Sequence, residues 1–135
     1  MITYQIETDL SLQEYIDILN NSGLGKRRPM DDSGHLNRMI LGSNIILTAR
    51  EDGELVGILR ALSDLCYRTF IADLAVKKEK QGKGIGRKLI EKAREIAPEA
   101  RLFLFSAENA EGFYQRLGFE LHERCYQLKV GESLR

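Results

Sequence analysis

Tryptophan is absent from this chain of 135 residues, and cysteine, histidine and proline occur only twice each. Cys66 and Cys125 stand far apart and form no Cys-x-x-Cys pair, so they offer no disulfide framework and read as free thiols in a reducing compartment. His35 and His122 lack the spacing of a metal site, and no metal is expected. No apolar run approaches the roughly 18 residues of a membrane span, and the amino terminus lacks the basic-then-apolar pattern of a signal peptide. The expectation is a cytoplasmic protein with no membrane partner. Net charge is also missing: 20 Lys+Arg balance 20 Asp+Glu. A nucleic-acid binder needs a broad basic surface, which this composition does not supply.

What is present is an ordinary globular composition, 43% apolar and 30% charged, of a length suited to one domain over residues 1–135. Ile2, Tyr4 and Ile6 alternate as a first strand, and Ser11 is placed to cap a helix carrying Leu12, Tyr15, Ile16 and Leu19 on one face. Asn21 to Gly25 ends that helix, and a basic loop of Lys26, Arg27 and Arg28 leads to Asp31, Asp32 and Ser33 as caps of a short second helix. Ile45 to Ala49 and Leu55 to Leu62 read as strands joined by Asp52-Gly53, a strong hairpin signal.

Residues 69–97 carry most of the chemical information. Phe70, Ile71, Ala72, Leu74, Ala75 and Val76 form a nearly continuous apolar run, broken only by Asp73, which predicts a central strand buried on both faces. Gln81, Gly82, Lys83, Gly84, Ile85 and Gly86 follow. Ile85, Leu89, Ile90, Ala93, Ile96 and Ala97 then recur at the spacing of one helical face, and Pro98 stops the helix. The glycines therefore open a helix, where unpaired N–H groups and the positive end of the dipole favour an anion. Lys77, Lys78, Lys80, Lys83, Arg87 and Lys88 face the single acid Glu79 in this stretch, so the field is locally positive. Leu102 to Phe105 adds a short strand, Glu108 to Leu117 a further helix ended by Gly118, and the tail two short strands, Phe119 to His122 and Arg124 to Lys129. Strand, helix, strand across residues 69–105 implies a parallel pair.

Two familiar glycine signatures do not fit. A Walker-type loop needs Lys-Ser/Thr after its last glycine, where Arg87 and Lys88 stand, and a dinucleotide fingerprint needs glycine at Arg87. Gln81, Gly84 and Gly86 instead match Gln-x-x-Gly-x-Gly. In this the chain resembles the GCN5-related N-acetyltransferase superfamily. A second block supports the resemblance: Asn109, Phe113, Tyr114, Gly118 and Phe119 match Asn-x(3)-Phe-Tyr-x-x-x-Gly-Phe. The two blocks span residues 69–120. The resemblance implies an α+β fold, an α/β/α sandwich with a mixed, mostly antiparallel sheet and helices on both faces. It also implies acetyl-CoA as donor and a homodimer as a family option.

The resemblance further implies that Gln81, Gly82, Lys83, Gly84, Ile85 and Gly86 hold the pyrophosphate, with Arg87 and Lys88 near the phosphates. Leu74, Ala75 and Val76 would run beside the pantetheine arm, with Leu74 and Val76 pairing to it as a strand would, and Asn109 and Phe113 would lie on the cofactor side. Asn109 reads equally as a helix cap. Transfer of acetyl to an amine needs a route for the amine proton, a donor for the oxyanion and an acid for the leaving thiolate. Tyr114 is the expected acid, because a phenol roughly matches a thiol in pKa; packing beside Phe113 is its structural alternative. Asp73, the one acid inside the apolar strand, is the candidate base, its pKa raised by desolvation. The alternatives are a structural ion pair for Asp73 and a water chain served by Asp64 or Glu108. Lys26, Arg27 and Arg28 either line the acceptor site or are simply solvated, and Tyr15, Tyr67 and Phe70 are aromatic candidates for contact with an amine.

The expected function is direct transfer of acetyl to a primary amine of a small molecule. A protein lysine or amino terminus as acceptor, or a sensor that binds acyl-CoA without turnover, remain open alternatives.

Overall fold

A computed structural model describes residues 1–135, which separate into two compact units, 1–105 and 106–135. In the first, five strands make one sheet in chain order: β1 (Ile2–Ile6), β2 (Ile45–Glu51), β3 (Glu54–Ser63), β4 (Arg68–Val76) and β5 (Arg101–Leu104). Neighbours from β1 to β4 pair antiparallel, and β4 and β5 run parallel. The mixed, mostly antiparallel sheet of the sequence expectation is therefore present.

Local chemistry explains the connections. Asp52 and Gly53 take φ of 51° and 82°, the left-handed pair that a tight β2–β3 hairpin requires. Helix α1 (Leu12–Ser22) starts where Ser11 Oγ accepts the Glu14 N–H at 3.1 Å and stops at Gly23, whose φ is 89°. Asp32 accepts the His35 N–H at 3.0 Å to cap α2 (Ser33–Leu41). The parallel strands β4 and β5 are bridged by α3 (Ile85–Ile96), which ends just before Pro98.

Helices cover both faces. Tyr15, Ile18 and Leu19 of α1 and Leu36 and Ile40 of α2 pack with Ile46, Ile58 and Ala75 of the sheet. Gly57 is the chain neighbour of Ile58 and so faces the other way. There α3 lies so close that a Cβ on Gly57 would stand 2.9 Å from Ile85 Cγ2 and 3.3 Å from Leu89 Cδ1.

Register breaks once in the β3–β4 ladder. Arg60 pairs with Asp73 and Ala61 with Ile71, which leaves Ala72 as an unpaired bulge residue. Thr69, Ile71, Asp73 and Ala75 are all buried, but the extra residue sends Asp73 and Ala75 toward α1 and the first two toward the opposite face. Phe70, Ala72, Leu74 and Val76 are only half-buried. Burial of β4 on both faces is thus corrected: β5 pairs with Arg68 to Ile71 alone, and the rest of β4 has no paired strand on that side.

The second unit holds a 3₁₀ turn (Glu108–Ala110) and α4 (Glu111–Arg116), closed at Gly118 with φ of 96°. The expected strands Phe119 to His122 and Arg124 to Lys129 do not form. Main-chain bonds there are local, such as Glu132 N–H to Lys129 O at 3.1 Å, and an alternating apolar pattern makes no strand without a paired neighbour. No helix of the protein is long and apolar enough to cross a membrane.

Candidate active site

β4 supplies one wall. Lys77 donates its N–H to Val56 O of β3 at 3.0 Å. Main-chain groups alternate sides along a strand, so Ala75 also faces β3, whereas Leu74 and Val76 turn their N–H and C=O toward the side that β5 has left. Leu74 and Val76 therefore have no strand partner on that side, and Val76 O is met there by the Gln81 side chain. Ala75 offers no such edge, since its main chain faces β3 and its methyl belongs to the α1–α2 core; its cofactor role is corrected on that ground.

The turn after β4 is built from glycine conformations. Gly82 and Gly84 take φ of 79° and 86°, nothing lies within 4 Å of a Cβ built on either, and Gly84 is the N-cap of α3 with no side chain bonding the first turn. The N–H groups at that helix start are left for a ligand to meet. Gln81 bends back to donate Nε2–H to Val76 O at 3.0 Å, so its side chain ties the turn to β4. Ile85 keeps only its main chain in the site, because its side chain is core beneath Gly57; Gly86 follows in the first helical turn.

Four of the six cations here have carboxylate partners: Lys77 with Glu54, Lys80 with Glu51 at 2.5 Å, and Arg87 and Lys88 with Glu91 at 3.2 and 3.9 Å. Lys83 makes no ion pair and stands exposed between the two glycines. The locally positive field is weaker than the sequence alone implies, although pairs this exposed hold their partners loosely.

Asp73 is at the bulge with its side chain fully buried. Its Oδ1 accepts from Arg28 Nε at 2.7 Å, and its Oδ2 accepts from Arg60 Nε at 2.6 Å and from the Tyr15 hydroxyl. Burial alone would push its pKa up. The bonds and charge of Arg60, the Tyr15 bond and the charge of Arg28 outweigh that and hold the carboxyl below its ordinary value. The expectation of a desolvated, basic Asp73 is corrected: the group is an ion-pair anchor, a poor acceptor for a substrate proton. Burial, with the Asp73 charge and bond, drives the Tyr15 hydroxyl well above its ordinary value, so it stays protonated as a donor. Asp64 is no better as a base. Its Oδ1 accepts the N–H groups of Arg68, Tyr67 and Cys66, which hold its pKa at about 2.

Arg28 and Arg60 are partners of Asp73 that the sequence expectation lacks. Arg28 also donates Nη2–H to Ala72 O at 2.7 Å, fastening the loop after α1 to the bulge, and Arg60 reaches Ser43 Oγ at 3.0 Å. One signal was available: Arg60 is the lone cation in an apolar strand and Asp73 the lone acid in the next, and buried charges require opposite partners. Tyr15 is core, with its hydroxyl committed to Asp73, so it is not free to meet an amine.

In the second unit, Asn109 is exposed and caps neither the 3₁₀ turn nor α4, whose N-terminal ends have no side-chain cap. Tyr114 is half-buried, its ring edge-on to Phe113 at 5.1 Å and to Phe119 at 5.5 Å, while its C=O accepts the Phe119 N–H at 3.0 Å.

Comparison with known proteins agrees with this architecture. The family described as acetyltransferase (GNAT) domain matches residues 42–121. The chloroplastic GCN5-related N-acetyltransferase 2 of Arabidopsis thaliana is 36% identical over 77 residues, 53% of this chain and 29% of that protein. Histone acetyltransferase TAP1 of Glycine max is 37% identical over 76 residues, 52% of this chain and 32% of that protein. The chain thus spans about a third of the length of these relatives. Among solved structures, a GNAT-family acetyltransferase from Streptococcus pneumoniae TIGR4 superposes with a TM-score of 0.81 at 24% identity, covering 98% of this chain and all of that one. The PaiA N-acetyltransferase of Thermoplasma acidophilum, solved in complex with coenzyme A, gives 0.68 at 20% identity over 91% and 93% of the two chains. On the family match over residues 42–121, the chain belongs to the GNAT acetyltransferases.

Proposed function

We propose that this protein is an acetyl-CoA-dependent N-acetyltransferase that acts on a primary amine of a small molecule by direct transfer. One observation carries the reading: the free edge of β4 at Leu74 and Val76 is followed, after a 3₁₀ turn at Lys78–Lys80, by the glycine-opened, uncapped start of α3. An extended amide arm pairs with the first, and a pyrophosphate sits on the second. That a related fold, PaiA, was solved with coenzyme A supports it. The second unit has 30 residues with none buried, too few for an independent core, so we read the chain as one domain.

The reaction forms a bond from the amine nitrogen to the acetyl carbon and breaks the C–S bond. The acceptor loses two protons, one to solvent and one to the departing thiolate. Only about one alkylamine in a thousand is neutral at pH 7, so the first proton must leave before attack. With Asp73 committed to two arginines, a water path is the proposed route. The Leu74 N–H is the proposed oxyanion donor and Tyr114 the acid for the thiolate.

Thermal unfolding with and without saturating acetyl-CoA, ATP being the control, tests binding. Ligand at 100 times its dissociation constant adds about 2.7 kcal/mol of stability. The shift is expected with acetyl-CoA, not with ATP, and not in Gly84→Glu, which sets a carboxylate where the phosphates belong. Thiol release with amines tests turnover, and Tyr114→Phe should lower kcat about 100-fold while the acetyl-CoA shift stays. A shift without thiol release from any amine would replace the enzyme reading with that of an acyl-CoA sensor.

A further inference from the structure

The sheet face that carries α1 and α2 is bare at one end. Leu62 follows Arg60 by two residues in β3 and so shares the face on which Arg60 meets α2. Leu62 pairs with Phe70 of β4, Phe70 pairs with Phe103 of β5, and the Phe105 ring stands edge-on to Phe70 at 5.6 Å. These four side chains form one apolar platform, yet Leu62 is 43% and Phe105 62% exposed. The exposed surface of Leu62 and Phe105, continuous with the half-buried Phe70, marks a binding face. It borders Ala72, the bulge residue at which β4 parts from β5 and its open edge begins.

Charge narrows the occupant. The Arg68 guanidinium stands 3.8 Å from the centroid of the Tyr67 ring and 5.4 Å from that of Phe103, placing a cation at the platform's rim. Within residues 1–105 the acids nearest in sequence are committed, Asp64 Oδ1 to three main-chain N–H groups and Asp73 to Arg28, Arg60 and Tyr15. A polyamine or aminoglycoside would bring several ammonium groups beside the Arg68 guanidinium, and each added positive charge there is repelled.

We infer that the acceptor is a monoamine with an aromatic body, which stacks on Phe70 and Phe105 while its single amino group reaches the donor edge beyond Ala72. This rests on the acetyltransferase reading above. The amino nitrogen forms the new bond to the acetyl carbon, the C–S bond breaks, and the amine's protons leave to the thiolate and to solvent.

The experiment is thiol release from acetyl-CoA with 2-phenylethylamine and with spermidine, for the intact chain and for Phe105→Ala and Phe105→Leu. Phenylethylamine should exceed spermidine in kcat/KM by about tenfold or more. Phe105→Ala should raise KM for phenylethylamine about tenfold with KM for acetyl-CoA unchanged, and Phe105→Leu should recover part of the loss. The acetyl-CoA thermal shift of each variant reports that it is folded. Equal or better use of spermidine, with that shift intact, overturns this inference and leaves the acetyltransferase standing; absence of the shift in the intact chain overturns both. A dimer in sedimentation that Phe105→Ala dissolves, with amine KM unchanged, also overturns it by giving the platform to a second copy.

Discussion

Two groups of charges flank β4, and the structure treats them in opposite ways. On the α1 side, Asp73, Arg28, Arg60 and Tyr15 are locked together at a bulge, with Asp73 and Arg60 buried. At the end of the strand, Lys78, Lys83, Arg87 and Lys88 lie exposed, and those with partners hold them by pairs along the helix surface. A buried charge must be neutralised within the fold, because leaving it alone costs several kcal/mol, so it becomes architecture. An exposed charge is solvated at little cost and stays available to a ligand.

The sharpest way to break this contrast is to remove Asp73. Asp73→Ala leaves two arginines without their counter-charge and frees the Ala72 bulge from one of its anchors, so a loss of about 3–5 kcal/mol in denaturant-measured stability is expected. The isosteric Asp73→Asn should cost less, since it keeps an acceptor for one donor. If instead Asp73→Asn is as stable as the parent and thiol release is abolished with the acetyl-CoA thermal shift unchanged, Asp73 is a base after all and the buried group is the functional one.

The difference between the two regions also explains what was legible in the sequence. The glycine turn was readable because its chemistry is local: Gln81, Gly84 and Gly86 sit within six residues, and φ of 86° at Gly84 answers directly to a residue type. The Asp52-Gly53 hairpin and the Ser11 cap were readable for the same reason. Asp73 stands out in the apolar run, but the direction of its pKa shift does not, because its partners come from 58, 45 and 13 residues away and pairing across that distance depends on the fold. The bulge at Ala72 leaves no trace in an apolar run, yet it decides which face Asp73 meets. In the tail, alternation at Phe119, Leu121, Tyr126 and Leu128 predicted strands, but pairing, which the pattern does not encode, is what makes a strand.

Acid should act on the buried group in a defined direction. The folded-state pKa of Asp73 lies below its ordinary value of about 3.9, so its contribution to stability is complete above that pH and is lost as pH falls through the folded value. Glu7, bonded chiefly to Arg50 and held at about 2, adds a second loss in the same direction between roughly pH 4 and 2. Denaturation midpoints should therefore be flat from pH 7 to about 5 and decline below about 4. The decline due to Asp73 should be smaller than the effect of Asp73→Ala, since a protonated carboxyl still accepts hydrogen bonds. A slope that persists in Asp73→Asn unchanged would assign it wholly to other carboxylates such as Glu7.

The smallest stability effect belongs to the other region. Arg87→Gln and Lys88→Gln remove cations whose only partner is Glu91 on the same helix, at 3.2 and 3.9 Å, and both are exposed, so each should change stability by less than about 0.5 kcal/mol. Basic residues in a first helical turn oppose the helix dipole, so a slight gain is the expected sign. Binding should move the other way. If these cations serve phosphates, KM for acetyl-CoA rises a few-fold in each variant, and the rise shrinks as salt screens the field. Stability up and cofactor affinity down, in one variant, is the pattern of a charge kept for a ligand; no change in KM at low salt would reduce both residues to solvated surface and leave the main-chain N–H groups at Gly84 to hold the anion alone.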